Sequence, residues 1–373
     1  MATRCPACGT TYPDDARFCT KDGSRLIIAG HIAPTAPAAP APPAPVSTAS
    51  PTPVQTAVRP ASPKLPGNAP NPAALADTVL EGRYKVEKKV GEGGMSYVYR
   101  ATDIGSSTPV AIKVLSPSLA KDQNAMARLR REAGLAIRLA HPNVCHIMRL
   151  GETEDGLVYV VMPYVEGEIL ADKRHRAGQL PLAQVVTFVS EIAAGLHIAH
   201  EQKIVHRDLK PENVMIAKKP DGTEYAVVMD FGLAKERKAG AELEKLTATG
   251  IILGTPEFMS PEQLRGKPLD PRTDIYALGL IAYELLTGKL PFQGRTQQEL
   301  MIARLRNDPI KLSELRASLQ FPPALDAVLL KACHRDADAR YVTAPEFADA
   351  FRAAAAPEPP ASGGGLLGKL FGR

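Results

Sequence analysis

Two short stretches concentrate the chemistry of this sequence. One is I-V-H-R-D-L-K-P-E-N-V, Ile204 to Val214; the other is D-F-G, Asp230 to Gly232, which begins sixteen residues after Val214. Two acids, a Lys and an Asn on loops bounded by short apolar strands suit a metal and phosphate site better than a solvated loop. In that chemistry Asp208 accepts the proton of an incoming hydroxyl and Lys210 neutralises a transferring phosphoryl group, while Asn213 and Asp230 hold Mg²⁺.

Upstream, V-A-I-K-V-L places Lys113 in an apolar strand. A Lys among aliphatic neighbours is costly unless an anion pairs with it. Glu132, on the helix that follows, can supply one from the protein side and a nucleotide the other. G-E-G-G-M-S-Y-V-Y, Gly91 to Tyr99, is a glycine-rich turn. Gly91 and Gly93 are expected to adopt dihedrals closed to other residues and to let backbone N–H groups approach a phosphate. A strand follows it where a dinucleotide fingerprint would open a helix, and no G-K-[ST] is present to make a Walker loop, so it reads as a hairpin lid over a nucleotide.

The elements that must position these groups change character along the chain. Strands are expected over Tyr84 to Val90, Ser96 to Thr102, Val110 to Leu115 and Val158 to Met162. A helix from about Asp122 to Leu139 interrupts them, with Met126, Leu129, Ala133, Ala136 and Ile137 at helical spacing. Beyond Pro181 helices dominate, among them Leu182 to His200, striped by Val185, Val189, Ile192 and Leu196, and Thr273 to Leu286. The fold class is α+β, a strand-rich lobe followed by a helical lobe.

From Gly91 to Arg352 the sequence resembles a protein kinase domain, specifically the eukaryotic-like Ser/Thr kinases of bacteria. The motifs are G-E-G-G-M-S-Y-V-Y, V-A-I-K, R-R-E-A, H-P-N-V, H-R-D-L-K-P-E-N, D-F-G, G-T-P-E-F-M-S-P-E-Q, D-I-Y-A-L-G and a late R-Y. The resemblance implies a two-lobed kinase fold that uses ATP and Mg²⁺ to phosphorylate Ser or Thr of protein substrates. It places Lys113, Glu132, Asp208 and Lys210 in catalysis. It puts the nucleotide against Gly91, Glu92, Gly93, Gly94, Met95, Ser96, Val98, Ala111 and Lys113, against the hinge residues Met162, Pro163 and Val165, and near Asn213 and Asp230. It also implies that Asp274 anchors the catalytic loop and that Glu262 pairs with Arg340. Three positions depart from the family pattern: Ser96 replaces the third lid glycine, Ser260 opens the usual Ala-Pro-Glu, and Pro163 stands where the hinge often has Glu. None removes a catalytic group. Lys210 and Thr255 resemble the Ser/Thr subclass. A small-molecule kinase is the weaker reading, and a pseudokinase scaffold or signalling adaptor, which would lack Lys113, Asp208 or Asp230, is the alternative from another class.

Arg207 beside Asp208 is a guanidinium suited to a phosphate. Thr247 and Thr249 are the only hydroxyls between Asp230 and Gly254, and in the bacterial kinases this chain resembles, two Thr at this place are autophosphorylated; they are the expected phosphosites. His197 and His200, three apart, and the buried-type Cys145 and Cys333 receive structural readings.

The domain boundaries expected are 1–30, 31–80, 81–355 and 356–373. In the first segment Cys5, Cys8, Cys19 and Asp22 have the spacing of a small zinc ribbon, for which a Cys₃Asp site is preferred over a metal-free ribbon. Such a module binds a protein or nucleic-acid partner without the sequence choosing between them. Thirteen of the 34 prolines fall between Pro34 and Pro72, marking a disordered, semi-rigid spacer. The last segment, with Leu366, Leu367, Leu370 and Phe371, is expected to be a frayed tail. With 45 basic and 40 acidic side chains among 373 residues, net charge argues for neither a nucleic-acid nor a membrane partner. Five Cys in so long a chain are not a disulfide framework, and neither a signal segment nor an apolar run of membrane length is found, so a cytoplasmic protein is expected.

Overall fold

The computed structural model describes residues 71–93, 96–120, 123–231, 256–316 and 318–356, together with Thr3–Arg4 and Thr11–Tyr12. The chain divides into two units, Met1–Pro63 and Lys64–Arg373. In the first, β1 (Thr3–Arg4) pairs antiparallel with β2 (Thr11–Tyr12), Thr3 opposite Tyr12. Cys5, Cys8, Cys19, Asp22 and the apolar tail lie outside the described residues.

In the second unit, alternating Val, Tyr, Ile and Ala build β3 (Val79–Leu80), β4 (Tyr84–Gly93), β5 (Ser96–Asp103), β6 (Thr108–Leu115), β7 (Arg149–Glu152) and β8 (Val158–Pro163). They form an antiparallel sheet in the order β3-β4-β5-β6-β8-β7. Side chains on successive residues point to opposite faces. Tyr84, Val86, Tyr99, Ala101, Val110 and Ile112 share one apolar layer, whereas Ala111, Val160 and Met162 belong to the core continuous with the helical lobe. Both faces are thus apolar and both need cover.

A short helix, α1 (Pro117–Ala120), precedes α2 (Gln123–Ala136), which buries Met126, Ala133 and Ala136. Ile137, expected on that stripe, is 45% exposed, because the helix ends one residue earlier and its period no longer applies. Residues 71–80 also correct the expected spacer: Leu75 and Leu80 are buried, and β3 pairs with β4.

The helical lobe begins with β9 (Gly167–Ile169), α3 (Leu170–Ala177) and α4 (Leu182–Glu201). α4 is long and apolar enough to cross a membrane, yet Val185, Val189, Ile192 and Leu196 are fully buried in the core of this lobe. β10 (Val214–Lys218) and β11 (Glu224–Val228) form a hairpin beside β9. Then come α5 (Pro261–Leu264), α6 (Arg272–Thr287), α7 (Gln297–Arg306), α8 (Leu312–Leu315), α9 (Ala324–Ala332) and α10 (Ala344–Ala355). α4 packs against α10, α6 and β11.

Candidate active site

The hairpin β10–β11 sets Val214 opposite Val228. The residues just outside that pair must therefore meet: Met229 N–H donates to the Asn213 carbonyl at 2.9 Å. Asn213 Nδ2 donates to the Asp208 carbonyl at 2.6 Å and to Asp208 Oδ2 at 3.1 Å. Lys210 Nζ lies 3.2 Å from the same Oδ2. Asp208 thus has one carboxylate oxygen fixed by two cationic or amide donors, and its side chain is 43% exposed, open to a substrate.

Buried Asp274, in the first turn of α6, holds the loop from beneath. It accepts from the His206 N–H at 2.8 Å and the Arg207 N–H at 2.9 Å, and its Oδ2 is 2.7 Å from His200 Nε2. Burial opposes its charge, but the His200 contact and these N–H donors hold its carboxyl below the usual range. The anchoring expected of Asp274 is observed, with His200 as a further partner of its carboxylate. His197 faces Glu201 instead. Arg207 and Asp230 are left-handed, with φ of 66° and 62°. Such backbone costs about 1–3 kcal/mol per residue and persists where surrounding bonds over-determine it.

Lys113 pairs with Asp230, Nζ to Oδ2 at 2.8 Å. The expected partner, Glu132, instead meets Arg207 Nη1 at 3.2 Å. The reason is positional: the Lys sits on a strand, the Glu on a helix, and the pairing depends on how far α2 stands from the sheet. Burial again opposes the charge on Asp230, and Lys113 prevails to keep its carboxyl lowered. An ammonium already seated on Asp230 shows that this carboxylate accepts a cation. With Asn213, whose amide nitrogen is engaged and whose oxygen meets no donor among the described residues, it makes a sparse set of hard oxygen donors, which fits Mg²⁺ completed by phosphate oxygens and water. Among the described residues no cluster of three or more His, Cys, Asp or Glu could hold a metal by itself.

The lid differs in one respect from expectation. Gly91 and Gly93 lie in β4 and neither is left-handed. A Cβ at Gly91 would meet Val98 at an ordinary 3.6 Å, and one at Gly93 would meet Ser96 at 3.9 Å, so among the described residues neither packing nor a left-handed dihedral demands glycine at either position. Gly94 and Met95 lie outside the described residues. Glu92 is exposed and bonded to Lys89 at 2.6 Å, and Ser96 pairs with Leu115. Val98 sits opposite both Gly91 and Lys113, and Ala111 opposite Met162. These residues make an apolar ceiling that ends at the hinge. Pro163 has no N–H, and its carbonyl lies 3.6 Å from the Cys145 thiol. Among the described residues no hydrogen bond engages the Val165 N–H.

Below the loop, Arg340 grips Glu262 with two bonds of 2.7 Å, Nη1 to Oε1 and Nη2 to Oε2. Ser260, the departure from Ala, caps α5: its Oγ accepts from the Gln263 N–H, and its N–H donates to Gln263 Oε1. The same Gln263 donates from Nε2 to the Arg207 carbonyl at 2.6 Å, tying α5 to the catalytic loop. Gln263 falls within the G-T-P-E-F-M-S-P-E-Q motif of the sequence without a role of its own assigned there, although S-P-E-Q is a capping-box pattern that points to one. Thr247, Thr249 and Thr255 lie outside the described residues.

The family model for the protein kinase domain matches residues 84–349. The chain is 38% identical over 271 residues to serine/threonine-protein kinase pkn3 of Myxococcus xanthus, covering 73% of this chain and 49% of that protein. It is 40% identical over 271 residues to serine/threonine-protein kinase PknB of Mycobacterium leprae, covering 72% and 42%. It therefore spans less than half the length of these curated relatives. Among solved structures, the PknI kinase domain of Mycobacterium tuberculosis superposes with a TM-score of 0.60 at 30% identity, covering 76% of this chain and all of that domain. The strand-rich and helical lobes, the loop that leads into β10 and meets the residues just after β11, and these matches together show that the chain belongs to the protein kinase family.

Proposed function

We propose that the protein transfers the γ-phosphoryl group of ATP to Ser or Thr hydroxyls of proteins. The observation that carries this reading is a pair of neighbouring clusters, Asp208 with Lys210 and Asn213, and Asp230 with Lys113, joined where the Met229 N–H beside Asp230 donates to the Asn213 carbonyl. Asp208 takes the hydroxyl proton as the new P–O bond forms and the bond to ADP breaks; Lys210 balances charge on the transferring group. Lys113 exchanges the Asp230 carboxylate for phosphate oxygens. Mg²⁺, when held by Asp230 and Asn213, neutralises the phosphate charge. Val98, Ala111 and Met162 enclose the adenine, with the Val165 N–H as its donor. Phosphates on Thr247 and Thr249 are the activating marks. The free, buried thiols of Cys145 and Cys333 suit a reducing, cytoplasmic setting.

A zinc site of Cys5, Cys8, Cys19 and Asp22 is proposed for the first unit. Its support is the spacing and the pairing of β1 with β2, which brackets Cys5 and Cys8. The module then takes a protein partner.

Incubation with Mg²⁺ and labelled ATP, followed by phosphosite mapping, tests the activity. Asp208→Asn is expected to lower turnover by at least about 10³-fold while ATP still binds, because the lost group orients the hydroxyl and does not hold the nucleotide. Near wild-type turnover by this variant would remove Asp208 from its role. Mapping that found Thr247 and Thr249 unmodified in active enzyme would remove them as activating sites.

A further inference from the structure

Residues 71–83 precede the segment matched by the kinase family, which begins at Tyr84, yet they are built into the sheet at several points. Leu75 is 2% exposed and belongs to the outer apolar layer with Leu80, Tyr84, Val86 and Tyr99. The Asp77 N–H donates to the Val86 carbonyl at 3.1 Å, and the Val86 N–H to the Thr78 carbonyl at 2.9 Å. The Tyr99 hydroxyl donates to the Pro72 carbonyl at 2.8 Å and accepts from the Leu75 N–H at 3.4 Å. Glu81 Oε2 accepts from Arg149 Nη2 and from the Tyr159 hydroxyl, each at 2.6 Å. The segment is thus fastened to β4, β5, β7 and β8 in turn.

Tyr99 links this outer layer to the site. It lies on β5 next to Val98, which faces Gly91 of the lid on one side and Lys113 on the other, while Tyr99 itself pairs with Lys89 and Ile112. Adjacent residues on one strand project to opposite faces, so a shift of Tyr99 in the outer layer moves Val98 in the inner one. We propose that residues 72–81 form a strap that sets the height of the nucleotide lid, with Leu75 and Tyr99 as positioning residues for ATP. This rests on the nucleotide lying under the β4–β5 hairpin. Lid contacts hold the nucleotide in ground and transition states alike, so loosening the strap weakens binding without changing the chemical step.

The test uses full-length protein carrying Leu75→Ala, Leu75→Met or Tyr99→Phe, with the folded fraction measured by circular dichroism and kinetics normalised to it. Leu75→Ala is expected to raise KM for ATP about threefold or more, with kcat at saturating ATP within about twofold of wild type. Leu75→Met, which refills the volume, should restore KM. Tyr99→Phe keeps the ring and loses both hydroxyl bonds, and is expected to raise KM by a smaller factor; it decides the matter if Leu75→Ala does not fold. Unchanged KM in the folded variants, or a fall in kcat alone, would overturn the strap. A wild-type protein showing no saturable binding of ATP would instead overturn the nucleotide reading, so the two failures are distinguishable.

Discussion

Asp274 shows how much of the catalytic loop rests on one buried carboxylate. Its oxygens receive two backbone N–H groups and face a His, which lets Arg207 keep its left-handed backbone. A carboxyl whose folded pKa is depressed contributes stability that is present above its unfolded value and lost as pH falls through the folded one. Asp274, Asp230 and Glu262 are all lowered, so their contribution is complete at neutral pH and is lost below about pH 4, the unfolded carboxyl range. Asp274→Asn should flatten that acid limb and, by leaving N–H donors facing an amide, cost about 3 kcal/mol in denaturant unfolding at pH 7. An acid limb identical to wild type would mean that Asp274 carries no part of it. At this scale the mutual placement of Asp208, Lys210 and Asn213 was legible in the sequence, because their spacing within one short loop nearly fixes their geometry. The partner of Lys113 was not, since Glu132 and Asp230 compete for it through the position of a whole helix.

Between elements, the critical joint is α5 with the segment that follows α9. Arg340 has no exposed side-chain surface and Glu262 little. Burial opposes the charge on Glu262, and the Arg340 bonds outweigh it to hold the carboxyl low. Removing one partner of such a pair leaves an uncompensated buried charge, so Glu262→Ala should destabilise the protein by about 3–5 kcal/mol, read as a lowered Tm or denaturant midpoint. A double variant that also replaces Arg340 by Met should recover much of this loss, because the penalty lies in the orphaned guanidinium more than in the lost attraction. Additive losses in that cycle would contradict the pairing. The strands and long helices were readable from periodicity, within a few residues at each end. Residues 71–80 were not: Leu75, with only Asn, Pro, Ala and Asp as its nearest neighbours, carries no period, and only the tertiary layer above Tyr99 gives it a place to be buried. Gln263 shows a different gap, since its capping pattern is local but its bond to the Arg207 carbonyl joins segments far apart in sequence.

At the scale of the whole chain, the two units differ in what can stabilise them. The second has a continuous apolar core running from the sheet into the helices, whereas Met1–Pro63 holds a cluster of prolines and few large apolar residues. A segment of about thirty residues cannot offset its ordering entropy by burial alone, so a fold there needs an external source of free energy such as a bound metal. Cys5, Cys8, Cys19 and Asp22 are the groups proposed to supply that bond, and a stretch with the Pro-rich composition that follows them is expected to act as a spacer. Two consequences are measurable on the same preparation. Protein purified without chelator should carry about one zinc per chain, and Cys5→Ser should release it. The melting transition of the kinase unit should stay within about 1 °C of wild type in that variant, since a spacer leaves the two units thermodynamically independent. Metal analysis finding no zinc would remove the Cys₃Asp site. A kinase transition lowered by several degrees on zinc release would show that the first unit packs against the second, and the spacer reading would give way to a coupled one.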